Sequence, residues 1–135
     1  MPVRLAKDSI DIGIVVRDAA AALRFYCDVL GFEDEGERLV PGGSLRRVRC
    51  GNSLIKIVSP DRAPAVAAPG GRIDAATGFR YLTISVADLA DTVATCEAAN
   101  ADVALQPTEL RPGVMVALVR DPDGNWIEFV QSQEN

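Results

Sequence analysis

A lysine and a glutamate occupy matching positions in two similar halves of this chain, and both residue types can take part in acid–base chemistry. Shifted by about seventy residues, CGNSLIKIVSP meets DPDGNWIEFVQS, so that Lys56 falls on Glu128. A positioned carboxylate can move a proton, and an ammonium shielded from water can stabilise a developing negative charge. The two side chains therefore indicate proton transfer beside a carbonyl group, or else a salt bridge that closes an inactive site.

The same internal comparison sets Asp11 against Tyr81, because IDIGIVVRDAAAALRFYCDVLGF matches RYLTISVADLADTVATCEAANAD. Asp11 interrupts an apolar strand, and a carboxylate at such a place needs a partner, for which Lys56 or Tyr81 is expected. Tyr81 could donate a hydrogen bond from its hydroxyl, or it could be an ordinary residue of an amphipathic strand. Both residues join the lysine and the glutamate as candidate catalytic groups.

Four further residues are candidates for binding a ligand. Trp126 shares strand parity with the glutamate and could offer a flat surface, or it could pack in the core. Arg47 and Arg49 lie on one face of a strand, where two guanidinium groups could clamp a carboxylate or phosphate unless that face is simply solvated. Thr83 lies on the mixed face of its own strand.

Each half is predicted to fold as a strand, a helix and three further strands. β-Branched runs mark the first strands, and Asp18 and Asp88 are suited to cap the helices that follow them. Turn residues separate the later strands. The predicted strands are 10–16, 32–39, 45–50 and 53–59, then 80–86, 102–106, 114–120 and 125–131, with helices at 19–30 and 89–99 and a Pro-containing loop after 106.

Strand parity separates two faces of each predicted sheet, because alternate side chains point to opposite sides. Ile55 and Ile57 are expected to pack under the helix, which leaves Lys56 on the other face. In the second half, Phe129 is expected to pack under the helix, and Glu128 is expected on the other face. The apolar face of the first strand is predicted to contain Ile10, Ile12, Ile14 and Val16.

The duplication predicts a single α+β domain over 1–135, since a repeated unit that cannot bury its apolar face alone needs its partner copy. Two βαβββ modules, about 8–59 and 79–131, are expected to form an eight-stranded, partly open barrel around a shared cavity. The segment 60–78, rich in Pro, Ala and Gly, is predicted to be a linker or a lid. An open sheet edge favours pairing, so a homodimer is expected.

Composition disfavours several classes of partner. The net charge of −5 argues against nucleic acid because phosphate contacts need a basic face, and the absence of histidine removes the commonest metal ligand and acid–base group. Its apolar runs are too short to cross a bilayer, and the start MPVRLAKDSIDIG lacks the apolar core of a signal peptide, so a cytoplasmic protein without a membrane partner is expected. The three cysteines, without CxxC spacing, predict free thiols.

The chain resembles the vicinal oxygen chelate superfamily, the group of glyoxalases, bleomycin-resistance proteins and extradiol dioxygenases. The residues that carry the resemblance are IGIVVRDAAAALRFYCDVLGF at 12–32, YLTISVADL at 81–89 and DPDGNWIEFV at 121–130, together with the duplication. The resemblance covers almost the whole chain. It implies paired strand–helix–three-strand modules around a cavity, a small-molecule ligand and often a dimer.

Metal-dependent members of that superfamily bind a divalent ion through His or Glu side chains, and the resemblance assigns those positions here to Asp11, Lys56, Tyr81 and Glu128. Only the glutamate is of the expected type. An ammonium about 4 Å from a dication costs roughly 8 kcal/mol at an effective dielectric constant near 20. We therefore expect neither a metal ion nor another cofactor.

Two classes of function remain for this sequence. One is a metal-independent isomerase or lyase, in which Lys56 stabilises an enolate or holds a carboxylate while Glu128 moves a proton. The other is a non-catalytic drug- or metabolite-binding protein of the bleomycin-resistance type. Metal-dependent glyoxalase or dioxygenase chemistry is the least expected, because histidine is absent. The fold alone does not choose between them.

Overall fold

The structure, a computed structural model, describes residues 2–133, so the two ends of the predicted 1–135 domain lie outside it. The chain divides into two compact units, one ending at Pro64 and the other beginning at Ala65. Module one lies in the first unit and module two in the second. The described strands form two four-stranded mixed sheets and no closed barrel, which confirms the α+β class.

Module one has the predicted order of elements. Its sheet runs β1-β4-β3-β2, with β1 parallel to β4 and the other neighbours antiparallel. The elements are β1 (Ile12–Val15), α1 (Ala19–Leu23) continued by a π-helix (Arg24–Val29), β2 (Glu33–Val40), β3 (Gly43–Cys50) and β4 (Ser53–Pro60).

Module two repeats this topology. Its sheet runs β5-β8-β7-β6, again with only the first pair parallel. The elements are a short 3₁₀ helix (Ile73–Ala75), β5 (Tyr81–Ser85), α2 (Leu89–Ala98), β6 (Asp102–Arg111), β7 (Val114–Arg120) and β8 (Trp126–Ser132).

Both predicted helix caps are confirmed. The side chain of Asp18 accepts a hydrogen bond from the backbone N–H of Ala21, and that of Asp88 accepts one from Asp91. Each cap satisfies an N–H group that has no partner inside its helix. The first helix widens into π geometry, which the sequence pattern did not indicate, and the Leu30 N–H donates to the carbonyl of Phe25.

Two predictions of element boundaries are wrong. Pro107 was expected in a loop, but β6 continues through it to Arg111. This strand lies at the edge of its sheet and its register shifts between Leu105 and Thr108, and an edge or a bulge tolerates a residue without an N–H group. Ile10 was expected on the apolar face of β1, but it precedes the strand and is 85% exposed.

The buried core follows strand parity in β4 and across Ile127–Phe129 of β8, whereas β7 has buried residues on both faces and Trp126 is buried on the face of Glu128. Ile55 and Ile57 of β4 are buried, as are Ile127 and Phe129 of β8, while the residues between them are half-buried. Helix α2 packs against β6, β7 and β8. Lys56 and Glu128, which lie between these core positions of β4 and β8, are therefore on the opposite face of each sheet. Separately, none of the helices within residues 2–133 is long and apolar enough to span a bilayer.

Candidate functional site

Lys56 and Glu128 occupy equivalent positions in the two sheets. Lys56 of β4 pairs with Gly13 of β1, and Glu128 of β8 pairs with Thr83 of β5. Counting two residues back from Gly13 and from Thr83 places Asp11 level with Tyr81, although Asp11 immediately precedes β1 and does not interrupt it as expected. The internal alignment drawn from the sequence therefore has the same register in the structure.

Lys56 is half-buried, and no hydrogen bond or ion pair of its ammonium occurs in the described part of the chain. Its neighbour on β1 is Gly13, around which no atom lies within 4 Å of the place that a Cβ would take. Its neighbour on β3 is Arg47. The lysine thus lies between an open position and a second cation.

Asp11 has partners other than those expected. Its Oδ1 accepts a hydrogen bond of 2.7 Å from Lys7 Nζ and another of 2.8 Å from the backbone N–H of Leu54. These bonds, and the more distant charge of Lys56, hold the pKa of Asp11 below its ordinary value. The prediction that Lys56 or Tyr81 is its hydrogen-bonding partner is therefore wrong, because Lys7 lies closer in space and in sequence.

Arg49 is engaged within module one. Its guanidinium donates to both carboxylate oxygens of Glu35, Nε to Oε2 at 2.5 Å and Nη2 to Oε1 at 3.0 Å. A register shift in β2 around Gly36, whose φ is 99°, brings Glu35 to this position. The pairing lowers the pKa of Glu35. Arg49 is thus held by a carboxylate of its own chain. Arg47 and Arg49 therefore cannot both clamp a ligand in this arrangement.

Arg47 is only partly satisfied. Its Nη2 donates to the Glu35 carbonyl oxygen at 2.7 Å, whereas its buried Nε has no partner among the residues that the structure describes. The side chain is half-buried. A buried donor without an acceptor is unfavourable, so this Nε is an unsatisfied polar group of module one.

In module two, Glu128 is half-buried and its Oε1 accepts a hydrogen bond of 2.9 Å from the Thr83 hydroxyl. Its antiparallel neighbour on β7 is Leu118. Tyr81 is 51% exposed, and its hydroxyl forms no hydrogen bond within residues 2–133. The structure therefore brings Thr83 and Glu128 together and leaves Tyr81 open to solvent.

Trp126 is 8% exposed, and both its ring and its N–H group have partners. The guanidinium of Arg120 lies 4.2 Å from the ring centroid, and Nε1 donates to the carbonyl oxygen of Gly71 at 3.1 Å. Arg120 in turn donates to Asp102 at 3.3 Å. These contacts are typical of a residue packed in the core. They favour core packing over a flat surface for a ligand, the two roles that the sequence allows for Trp126.

Arg80 has a structural role that no sequence pattern indicated. Its guanidinium donates to four backbone carbonyl groups of the segment before it, two of them at 2.8 Å, and they belong to Pro69, Gly70, Arg72 and Ile73. Together with the bond between Trp126 and Gly71, these contacts fix residues 69–73 in the second unit. This part of the predicted linker is folded against module two.

The residues at the family's metal positions do not fit a divalent cation. Lys56 would place a positive charge among the ligands, and Asp11 already accepts two hydrogen bonds. Across residues 2–133, no group of three His, Cys, Asp or Glu side chains is placed to hold a metal ion. The three cysteines are free, as predicted, and burial raises the pKa of each thiol. These side chains therefore do not form a site for a divalent ion.

Known proteins share this fold and sequence pattern. A probable lactoylglutathione lyase from Synechocystis is 26% identical over 126 residues, covering 88% of this chain and 91% of that protein. A glyoxylase/bleomycin resistance protein/dioxygenase domain from Frankia has a TM-score of 0.79 at 20% identity, covering 98% of this chain and 96% of its own. Glyoxalase I from Leishmania major has a TM-score of 0.71 at 20% identity, covering 93% and 87%.

The sequence match agrees with the likeness in fold. The family model described as Glyoxalase/Bleomycin resistance protein/Dioxygenase superfamily matches residues 9–129, which contain both modules almost completely. The resemblance seen in the sequence motifs is thereby confirmed. With its duplicated strand–helix–three-strand topology, this chain belongs to the glyoxalase/bleomycin resistance protein/dioxygenase superfamily.

Proposed function

We propose that the protein binds a small organic molecule through an anionic or carbonyl oxygen and that Lys56 contacts this oxygen. The observation that carries the proposal is that Lys56 is a half-buried residue whose ammonium has no hydrogen bond or ion pair in the described chain, beside the open position at Gly13. An ammonium without a counter-ion is available to an anionic or carbonyl oxygen of a ligand, which would stabilise it. No metal is needed for this contact.

The proposed reaction is that of a metal-independent isomerase or lyase. Glu128 removes a proton from the carbon next to a carbonyl, and the ammonium of Lys56 stabilises the enolate oxygen that forms. In an isomerase the proton then returns to a neighbouring atom; in a lyase the electron pair expels a leaving group from the next carbon. The hydrogen bond from Thr83 supports this role because it orients the carboxylate of Glu128. The word lyase in the name of the Synechocystis relative supports the reaction class.

The test follows solvent deuterium exchange at carbon by proton NMR in D₂O, with S-lactoylglutathione and 2-oxo acids as probes. Lys56→Met should weaken binding or exchange by roughly thirty- to a thousand-fold, because it removes a charged contact in a partly desolvated site. Glu128→Gln should abolish exchange and leave affinity within a few fold. If the parent protein catalyses no exchange and Glu128→Gln alters only the affinity for the ligand, the protein is the non-catalytic drug- or metabolite-binding alternative.

We also propose that the protein is a homodimer and that the two modules form a single glyoxalase-like domain with a shared cavity. Both derive from the duplication and from the sheet edges formed by β1 and β5.

A further inference from the structure

The sheet of module one presents three rows of side chains on the face that carries Lys56. Paired residues of neighbouring strands have their side chains on the same face of the sheet, and alternate pairs repeat along it. The pairing of β1, β4 and β3 therefore defines each row. The rows are, in order, Asp11, Leu54 and Arg49; then Gly13, Lys56 and Arg47; then Val15, Val58 and Leu45.

The first row carries no net charge. Asp11 is paired with Lys7 at 2.7 Å, and Arg49 is paired with Glu35. Each of the two charges in this row therefore has an opposite charge in contact. An added anion would find no unneutralised cation here.

The second row carries two cations that form no ion pair within residues 2–133, although the carboxylates of Asp11 and Glu35 in and beside the first row act on them from a greater distance. Arg47 and Lys56 are directly opposite on antiparallel strands, where Cβ atoms lie about 4.5–5.5 Å apart and like charges are unfavourable. Within the described part of the chain, the Arg47 guanidinium donates one hydrogen bond, to a backbone carbonyl, and its buried Nε has no partner. On the other side of Lys56, Gly13 leaves room for a ligand atom.

The third row is apolar. Val15 is 56% exposed, and Val58 and Leu45 are half-buried. A ligand whose charged end lies on the second row would place its neighbouring atoms over this row. Burying methylene groups there would be favourable, since each fully buried methylene contributes roughly 0.8 kcal/mol.

We propose that this face binds the carboxylate of a small organic acid with an apolar chain. The carboxylate contacts Lys56 and Arg47 in the space beside Gly13, and the chain lies over Val15 and Val58. This inference rests on the proposed function, in which Lys56 contacts a ligand oxygen, and it adds the class of ligand and a specificity-determining residue, Arg47.

The experiment is an NMR titration of the full chain with hexanoate, acetate, hexanol and inorganic phosphate. Hexanoate should bind, and acetate and hexanol should each bind at least about tenfold more weakly, because one lacks the chain and the other the charge. Arg47→Gln and Lys56→Met should each weaken hexanoate binding by at least about tenfold. Gly13→Val should do the same while the chain stays folded, since its Cβ has open space.

Arg46→Gln is the matched control. Arg46 is on the same strand but on the opposite face, where it pairs with Asp34 at 3.4 Å, so its loss should leave hexanoate binding unchanged. Circular dichroism and thermal unfolding check that each variant is folded.

Several results would overturn the inference. Normal binding by Arg47→Gln with loss in Lys56→Met would exclude the two-cation site and leave the proposed function standing. Phosphate binding more tightly than hexanoate, or hexanoate no more tightly than acetate, would exclude an apolar carboxylate. Absence of hexanoate binding at millimolar concentration would do so as well. If Lys56→Met binds every probe as well as the parent does, both this inference and the proposed function fail.

Discussion

Modules one and two share a strand register but differ in charge on the row that carries their central polar residue. In module one this row contains Gly13, Lys56 and Arg47, whereas in module two it contains Thr83, Glu128 and Leu118. The register is maintained by backbone hydrogen bonds and by the buried apolar face, neither of which depends on these side chains. The chemistry of this face can therefore diverge between copies while the fold is retained.

The neighbouring row shows the opposite behaviour. Arg49 and Arg120 are at equivalent register positions, opposite Leu54 and Trp126. Each is paired with a carboxylate from the adjacent edge strand, Glu35 in β2 and Asp102 in β6. In both modules this row therefore links the edge strand to its neighbour through a side-chain ion pair.

The largest effect that tests the comparison concerns the equivalent core residues Phe129 and Ile57, which are 1% and 0% exposed. Phe129→Ala should lower the free energy of unfolding by about 3–5 kcal/mol and Ile57→Ala by about 2–5 kcal/mol, because each leaves a cavity. Urea unfolding followed by circular dichroism measures both. Leu39→Ala, at a position 81% exposed, is the control and should stay within about 0.5 kcal/mol. A loss below 1 kcal/mol in either variant would show that the helix-side core is assigned incorrectly.

An intermediate effect is expected at Arg80. Module one has no counterpart of this residue, because the matching position is occupied by Ile10, an exposed apolar residue. Arg80→Ala should destabilise the protein by about 1–3 kcal/mol because carbonyl groups of residues 69–73 lose their donors. It should also shift the fluorescence of Trp126, the only tryptophan, to the red as the bond to Gly71 loosens.

The matched control for this prediction is Arg72→Ala. Its side chain is 86% exposed and, among residues 2–133, pairs with the exposed Asp74, and the backbone carbonyl that accepts from Arg80 is retained. Equal emission spectra for the two variants would contradict the role of Arg80.

The smallest effect is a pH dependence at Asp11, whose counterpart in module two is the tyrosine Tyr81. The pKa of Asp11 is lower in the folded chain, chiefly through Lys7, so between the two values the unfolded state binds more protons. Its contribution to stability is therefore complete above the ordinary pKa and is lost as the pH falls through the folded value. Unfolding free energies of the parent and Asp11→Asn should differ near neutral pH and converge in acid. The exposed Asp8→Asn is the control, and its unfolding free energy should stay close to that of the parent at both pH values. If Asp11→Asn behaves in the same way, the contact with Lys7 contributes no stability.

Much of the fold could be predicted from the sequence, because the relevant signals are local. Alternating apolar residues identified β4 and β8 and their buried faces, and Asp18 and Asp88 marked the helix starts. The duplication added the equivalence of Lys56 and Glu128, which needs only the order of residues along each strand. These features follow from backbone geometry that repeats every two residues in a strand and from the unsatisfied N–H groups at a helix start.

Side-chain partners on different strands were decided by the tertiary structure. Glu35 reaches Arg49 because β2 bulges beside β3, and Lys7 reaches Asp11 ahead of Lys56 because the residues before β1 approach β4. The adjacency of Arg47 and Lys56 likewise depends on which strands are neighbours and on their register. Sequence spacing determines the face on which a side chain lies, but the distance between two charges on different strands is determined only when the sheet has formed.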